Sequence, residues 1–183
     1  MNINYTIYTK RLCLRLLTPE EAPQLANAIK TSPSLHQWID WCHPDYTESE
    51  AIDFISATRL NWVKANSFGF ALFTRDSNEF LGMVAFNEFY HTFNMGSLGY
   101  WLKDVAQHQG YALEAMDALI EFAFVHLLLT RLEIVCDPRN LPSHQLAERL
   151  GATFECTAEN RYIFNGQPKA GMVYSLTPST RNS

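Results

Sequence analysis

Residues 110–128 constrain the fold of this chain more than any other stretch. Nearly every side chain there is apolar, and the acidic residues Glu114, Asp117 and Glu121 fall at steps of three and four. That spacing gathers them into one narrow polar stripe on an α-helix and leaves the rest of the rod in need of cover. Such a helix packs heavily against a sheet. It is no membrane span: the most apolar part, 118–129, is broken by Glu121 and His126, where a span needs about 18 uninterrupted apolar residues.

The flanking sequence supplies the sheet. Residues 131–136 alternate, with Leu132, Ile134 and Cys136 in step, and read as a strand. Ahead of the helix, 67–75, 80–90 and 95–102 read as a three-stranded meander, its first turn at Asp76-Ser77-Asn78-Glu79. Behind it, 141–150 is a short helix closed by Gly151, and 154–164 and 169–176 are strands joined through Asn165-Gly166.

The N-terminal third begins with a strand at 11–17, carrying Leu12, Leu14 and Leu16, followed by helices. Thr18-Pro19-Glu20-Glu21 sets a helix start, with Thr18 as N-cap, Pro19 at the first position and Glu21 able to close a capping box. A short piece at 34–39 follows. Thr47 and Glu50 form a second capping box for a helix reaching about Asn66, with Ile52, Ile55, Leu60 and Val63 as its apolar face. The expected class is therefore α/β, a mixed sheet with helices. At 183 residues without repeats, one domain over 1–183 is expected, with 177–183 as a flexible tail.

Composition excludes several functions. Apolar residues make up 47% and charged residues 18%, which rules against disorder. Fourteen basic against 19 acidic residues give a net charge of −5, so nucleic acid and anionic membrane are poor partners. The start of the chain lacks the apolar core of a signal peptide, which points to the cytoplasm. Cys13, Cys42, Cys136 and Cys156 form no CxxC pair and the six histidines are scattered, so no metal site is expected. Any polyanionic ligand must then be held by something other than bulk charge.

The junction from Tyr100-Trp101-Leu102 into Gln107-His108-Gln109-Gly110-Tyr111-Ala112 offers such a means. A strand ends, a polar loop turns, and a helix opens on small residues. The first turn of a helix leaves backbone N–H groups unpaired and carries the positive end of the macrodipole. Small residues let a phosphate reach those amides. There is neither a GxxxxGK[ST] loop nor a GxGxxG fingerprint. The plainer reading is an ordinary helix start with Gly110 chosen for packing.

Downstream, Asn140-Leu141-Pro142-Ser143 opens the helix that ends in Leu150-Gly151-Ala152. With Gly99-Tyr100-Trp101-Leu102, the 107–112 loop, Leu35-His36-Gln37-Trp38 and Trp41, the chain resembles the GNAT acetyltransferases, and among them the RimL/RimJ-type enzymes that acetylate protein N-termini. The resemblance covers nearly the whole chain. It implies a mostly antiparallel central sheet splayed at one parallel strand pair, with helices on both faces. It also implies acetyl-CoA as cosubstrate, held by Trp101, Leu102, Gln107, His108, Gln109, Gly110, Tyr111, Ala112, Asn140 and Ser143.

Ser143 matches the position such enzymes use near the coenzyme A sulfur, a proposed general acid. By the residues alone it is equally a solvated helix position, and Asn140 an N-cap. Glu88, on a central strand, is the expected base, against a plain reading as a carboxylate on a wet strand face. Trp38, Trp41, Glu88 and Phe89 are expected to line the acceptor cleft. Tyr162 stands where RimL-type enzymes can carry a carboxylate, a departure from their pattern. The resemblance implies transfer by direct attack of a primary amine, foremost a protein N-terminus, and allows a homodimer. A small amine such as a polyamine or aminoglycoside is the alternative acceptor, and a coenzyme A-binding module without turnover the alternative role.

Overall fold

Alternating and continuously apolar segments pair into one eight-stranded sheet in a computed structural model that describes residues 2–181. In chain order the elements are β1 (Ile7–Tyr8), β2 (Leu12–Arg15), α1 (Ala22–Lys30), α2 (Pro33–Trp38), α3 (Glu48–Lys64), β3 (Phe68–Thr74) and β4 (Phe80–Tyr90). They continue as β5 (Met95–Leu102), α4 (Tyr111–Val125), β6 (Arg131–Cys136), α5 (Leu141–Arg149), β7 (Thr153–Phe164), β8 (Gln167–Leu176) and a last turn, α6 (Pro178–Arg181). Part of the expected tail is thus helical, and residues 182 and 183 lie outside the described residues. No helix among the described residues is long and apolar enough to cross a membrane.

The strand order is β1-β2-β3-β4-β5-β6-β8-β7, and every pairing is antiparallel except β5 with β6. Helices cover both faces. On one, Met116, Leu119 and Ile120 of α4 and Leu146 of α5 pack against β2–β6. On the other, Leu25 of α1, Leu35 of α2 and Ile55 of α3 pack against Phe73, Phe80 and Met83. As its stripe requires, α4 buries Ala115, Met116, Leu119, Ile120, Phe122 and Ala123, while Asp117 and Glu121 are exposed and Glu114 is half-buried. β3 is buried along its whole length on both faces, as a continuously apolar central strand should be.

The start of α3 is as expected. The Glu50 amide donates to Thr47 Oγ1 at 3.2 Å, and the Thr47 amide donates to the Glu50 carboxylate at 2.7 Å. Its buried face is not. Ile52, Leu60 and Val63 are exposed, and Ala51, Ile55 and Trp62 point inward. The inward set keeps strict helical steps, and Trp62 Nε1–H donates to the Gly69 carbonyl at 2.9 Å, an anchor the smaller aliphatics cannot supply.

Two irregularities in β4 shape the site. Between Phe86 and Glu88 the register to β5 shifts, so that Phe86 opposes Leu98 and Glu88 opposes Ser97, with Asn87 bulged between them. The bulge restores parity for a chain that could not otherwise bury Phe89 and keep Glu88 in water. Near the other end, Gly82 has φ of +149° and opposes Leu102. A Cβ there would come within 2.2 Å of the Trp101 carbonyl oxygen. Gly82→Ala is expected to destabilise the fold by about 2–4 kcal/mol through overpacking and backbone strain, measured as a lowered urea midpoint.

Candidate functional site

The parallel ladder between β5 and β6 runs from Met95 opposite Arg131 to Leu98 opposite Ile134 and ends there, although both strands continue. Beyond that point each strand keeps only its outer neighbour: Leu102 still pairs with Gly82, and Cys136 with Met172. The strands diverge into a cleft of about 850 Å³, lined along its length by Gly99–Leu102 backbone on one side and Val135, Cys136 and Asp137 on the other. His108, Gly110, Tyr111 and Ala112 line it at the opening of α4, and Trp38, Glu88 and Tyr162 line it as well.

The loop before α4 is held from two sides. Gln107 Nε2 donates to Ser34 Oγ at 2.9 Å and to the Leu102 carbonyl at 3.1 Å, tying the loop to α2 and the strand end. From the far side, Arg11 Nη1 donates to the Gln109 carbonyl at 2.9 Å, while its Nε and backbone amide donate to Glu114 at 2.6 and 2.8 Å. The Gln109 side chain folds back onto the Val105 carbonyl at 2.8 Å and does not line the cleft. His108 and Gly110 both take positive φ, 60° and 78°. The first bond of the helix runs from the Glu114 amide to the Gly110 carbonyl at 3.1 Å, which leaves the amides of Tyr111, Ala112 and Leu113 without an intrahelical acceptor.

Across the cleft, Asn140 caps α5 by accepting the Ser143 amide at 3.3 Å. The Ser143 hydroxyl shares a 3.2 Å hydrogen bond with the hydroxyl of Tyr100, which burial holds above the usual tyrosine pKa. Burial also pushes the nearby Cys136 thiol up to about 11, so it is un-ionised at neutral pH. The β6–α5 turn is braced throughout. Asp137 accepts from Arg139 Nε at 2.9 Å and from the Tyr162 hydroxyl at 2.8 Å, and these donors, Arg139 foremost, hold its carboxyl well below the ordinary range. Burial, with Asp137 second, raises Tyr162 to about 12. His144 Nε2–H donates to the Asp137 carbonyl at 2.9 Å, leaving Nδ1 to accept from the buried Tyr174 hydroxyl at 3.1 Å.

The structure brings Trp38, Glu88, Trp101, Leu102, Gln107, His108, Gly110, Tyr111, Ala112, Asn140 and Ser143 to one cleft. Glu88 is exposed and accepts a hydrogen bond from Tyr90. Two expected acceptor residues lie elsewhere. Phe89 packs into the core against Phe68 and Phe86, at ring separations of 5.3 and 5.6 Å, because the bulge turns it away from the cleft. Trp41 lines a smaller adjoining groove. Sequence reasoning missed Tyr100 as the partner of Ser143, Arg11 as the strap on the loop, and Asp137 as the brace. Asp137, two residues ahead of a basic Arg139 in a turn, was open to recognition; Arg11, about a hundred residues from its partner, was not.

A cleft with free helix amides at one end and unpaired strand backbone along its side suits a long ligand with an anionic end and an amide-bearing arm. Its small opening residues and positive-φ Gly110 leave room for that anionic end. Residues 11–153 match the family model for the acetyltransferase (GNAT) domain, and the chain belongs to that family. Its activity is accordingly acetyl transfer to an amine, with acetyl-CoA as cosubstrate.

A Vibrio cholerae protein provisionally named a ribosomal-protein-serine acetyltransferase is 56% identical, with a TM-score of 0.90 over 97% of this chain and 100% of that one. The uncharacterised N-acetyltransferase p20 of Bacillus licheniformis is 28% identical over 145 residues, 79% of this chain and 80% of its own length. RimL, a ribosomal L7/L12 α-N-protein acetyltransferase in complex with coenzyme A, shares the fold at a TM-score of 0.85 and 23% identity, covering 94% and 98% of the two chains.

The strap on the loop is testable without any ligand. Arg11→Ala is expected to cost about 1 kcal/mol, since the ion pair is partly exposed. Amide hydrogen exchange should accelerate selectively across 107–114; uniform exchange would separate Arg11 from the loop.

Proposed function

We propose that this chain acetylates the α-amino group of a protein N-terminus. The observation that carries the reading is the ionic balance of the cleft. Its carboxylates are Glu88 and Asp137, and its cations are Arg149 and Arg161. Asp137 is engaged by Arg139 and Tyr162, and Arg161 by Glu133 at 2.8 Å. A polyamine or aminoglycoside would find no surplus of negative charge there. The name of the 56% identical Vibrio cholerae protein supports the same acceptor class.

The acceptor's own chemistry fits a site without a strong base. An amine must be neutral to attack. Deprotonating a lysine at pH 7 costs roughly 4–5 kcal/mol, and an α-amine only about 1 kcal/mol. A carboxylate acting through water suffices for the second, and Glu88 faces the cleft in that role.

Acetyl-CoA supplies a thioester whose carbonyl carbon accepts the amine nitrogen. The amides of Tyr111, Ala112 and Leu113 would receive the pyrophosphate, and the released backbone of 99–102 would pair with the pantetheine arm. As the C–N bond forms and the C–S bond breaks, the amine proton leaves by way of Glu88. Ser143, its hydroxyl oriented by Tyr100, gives a proton to the departing sulfur and regains one from water, to which Glu88 releases the proton it took. Since a thiolate leaves readily without help, Ser143→Ala is expected to lower kcat by about 10-fold rather than abolish it. An unchanged kcat would remove Ser143 from the reaction.

The acceptor is tested by following coenzyme A release on N-terminal peptides, lysine peptides and polyamines. On the N-terminal peptides kcat/KM should rise with pH and level off near the amine pKa of about 7.7–8.0, because only the neutral form attacks. A rise continuing toward about 10 would identify a lysine acceptor instead.

A further inference from the structure

One wall of the cleft has little of its own to hold it. α2 is only six residues long, well below the roughly 12–15 residues a helix needs to be stable alone. It buries a single side chain, Leu35, yet Ser34, Leu35, Trp38 and the following Ile39 all line the cleft. His36 Nε2–H ties it to α1 by donating to the Ile29 carbonyl at 2.9 Å. Its other side-chain hydrogen bonds among the described residues run to the segment between β5 and α4.

There two distant segments cap each other. The Asp104 amide donates to Ser32 Oγ at 3.1 Å, and the Asp104 carboxylate accepts from the Ser34 hydroxyl at 2.5 Å and the Ser34 amide at 3.4 Å. A capping box makes the same exchange within one helical turn; here it joins residues 70 positions apart. Ser32 stands at the N-cap of α2 but makes no side-chain cap bond to its own helix. It is 1% exposed, so its hydroxyl depends on a protein partner.

Gln107 completes the junction. Its Nε2 donates at 2.9 Å to the same Ser34 hydroxyl that donates to Asp104. One hydroxyl therefore joins α2 to both ends of the turn that leads into the free amides of α4. A ligand that fixes this loop fixes Ser34 with it, and through Ser34 a helix too short to keep its place alone. Such coupling is reciprocal, since order at either site favours order at the other.

We propose that Ser34 and Asp104 are positioning residues, through which acetyl-CoA seated at the opening of α4 steadies the α2 wall of the cleft. The inference rests on the seating of acetyl-CoA at those amides proposed above and adds a physical link from the cosubstrate to the far wall.

The test is amide hydrogen exchange of the whole protein with and without coenzyme A, read over 34–39 and over 107–113. Coenzyme A should slow exchange at least fivefold in both segments of the native protein. In Ser34→Ala the slowing over 107–113 should remain and that over 34–39 should vanish. Ser34→Thr, which keeps the hydroxyl, should restore it. At saturating acetyl-CoA, Ser34→Ala should also raise at least fivefold the KM of whichever acceptor turnover identifies, with kcat within twofold. Slowing confined to 107–113 in the native protein would overturn the link and leave the seating of acetyl-CoA standing. So would slowing over 34–39 or an acceptor KM that Ser34→Ala leaves unchanged. No slowing over 107–113 in the native protein would overturn the seating, and the link with it.

Discussion

The parallel ladder between β5 and β6 stops at Leu98 and Ile134, and the rest of the molecule is arranged around that interruption. Unpaired backbone inside a sheet is ordinarily a liability, since each N–H and C=O must find a partner in water or in another molecule. Here the two strand ends cannot collapse together. β5 is pinned to β4 as far as Leu102, and β6 to β8 as far as Cys136. The opening is therefore a fixed property of the sheet, ready to pair with a ligand that brings its own amides.

Charge is used locally. An acidic chain has no general attraction for a polyanion, yet the first turn of α4 presents three amides at one point, and Arg11 holds that turn through Glu114 and the Gln109 carbonyl. The guanidinium here acts on the protein itself. Across the cleft the same economy appears: Asp137, Arg139, Tyr162, His144 and Tyr174 satisfy one another and set the turn that carries Asn140 and Ser143.

What the sequence revealed followed its periodicities. The narrow acidic stripe of α4, the capping boxes and the alternating strands are local signals, and the elements they define match the structure to within a few residues. Where local signals compete, the reading failed. Of the expected face Ile55 is buried, but Ile52, Leu60 and Val63 are more conspicuous than the Ala51 and Trp62 that accompany it; the step of five between Ile55 and Leu60 breaks a helical stripe, and a single indole donor helps decide which side of α3 faces in. Adjacent strand residues point to opposite faces, so Glu88 and Phe89 cannot both line the cleft; the bulge at Asn87 decides which of them does, and it leaves no mark in composition. Tyr100 and Arg11 were visible as residues but not as partners, because Ser143 and Glu114 reach them only through the tertiary fold.

The Arg11–Glu114 contact also ties the N-terminal segment to the opening of α4. The residues joined lie 103 positions apart, and Arg11 immediately precedes β2, which sits near the edge of the sheet and pairs with β3. The contact that steadies the ligand-facing loop thus joins two residues that only the assembled sheet brings together.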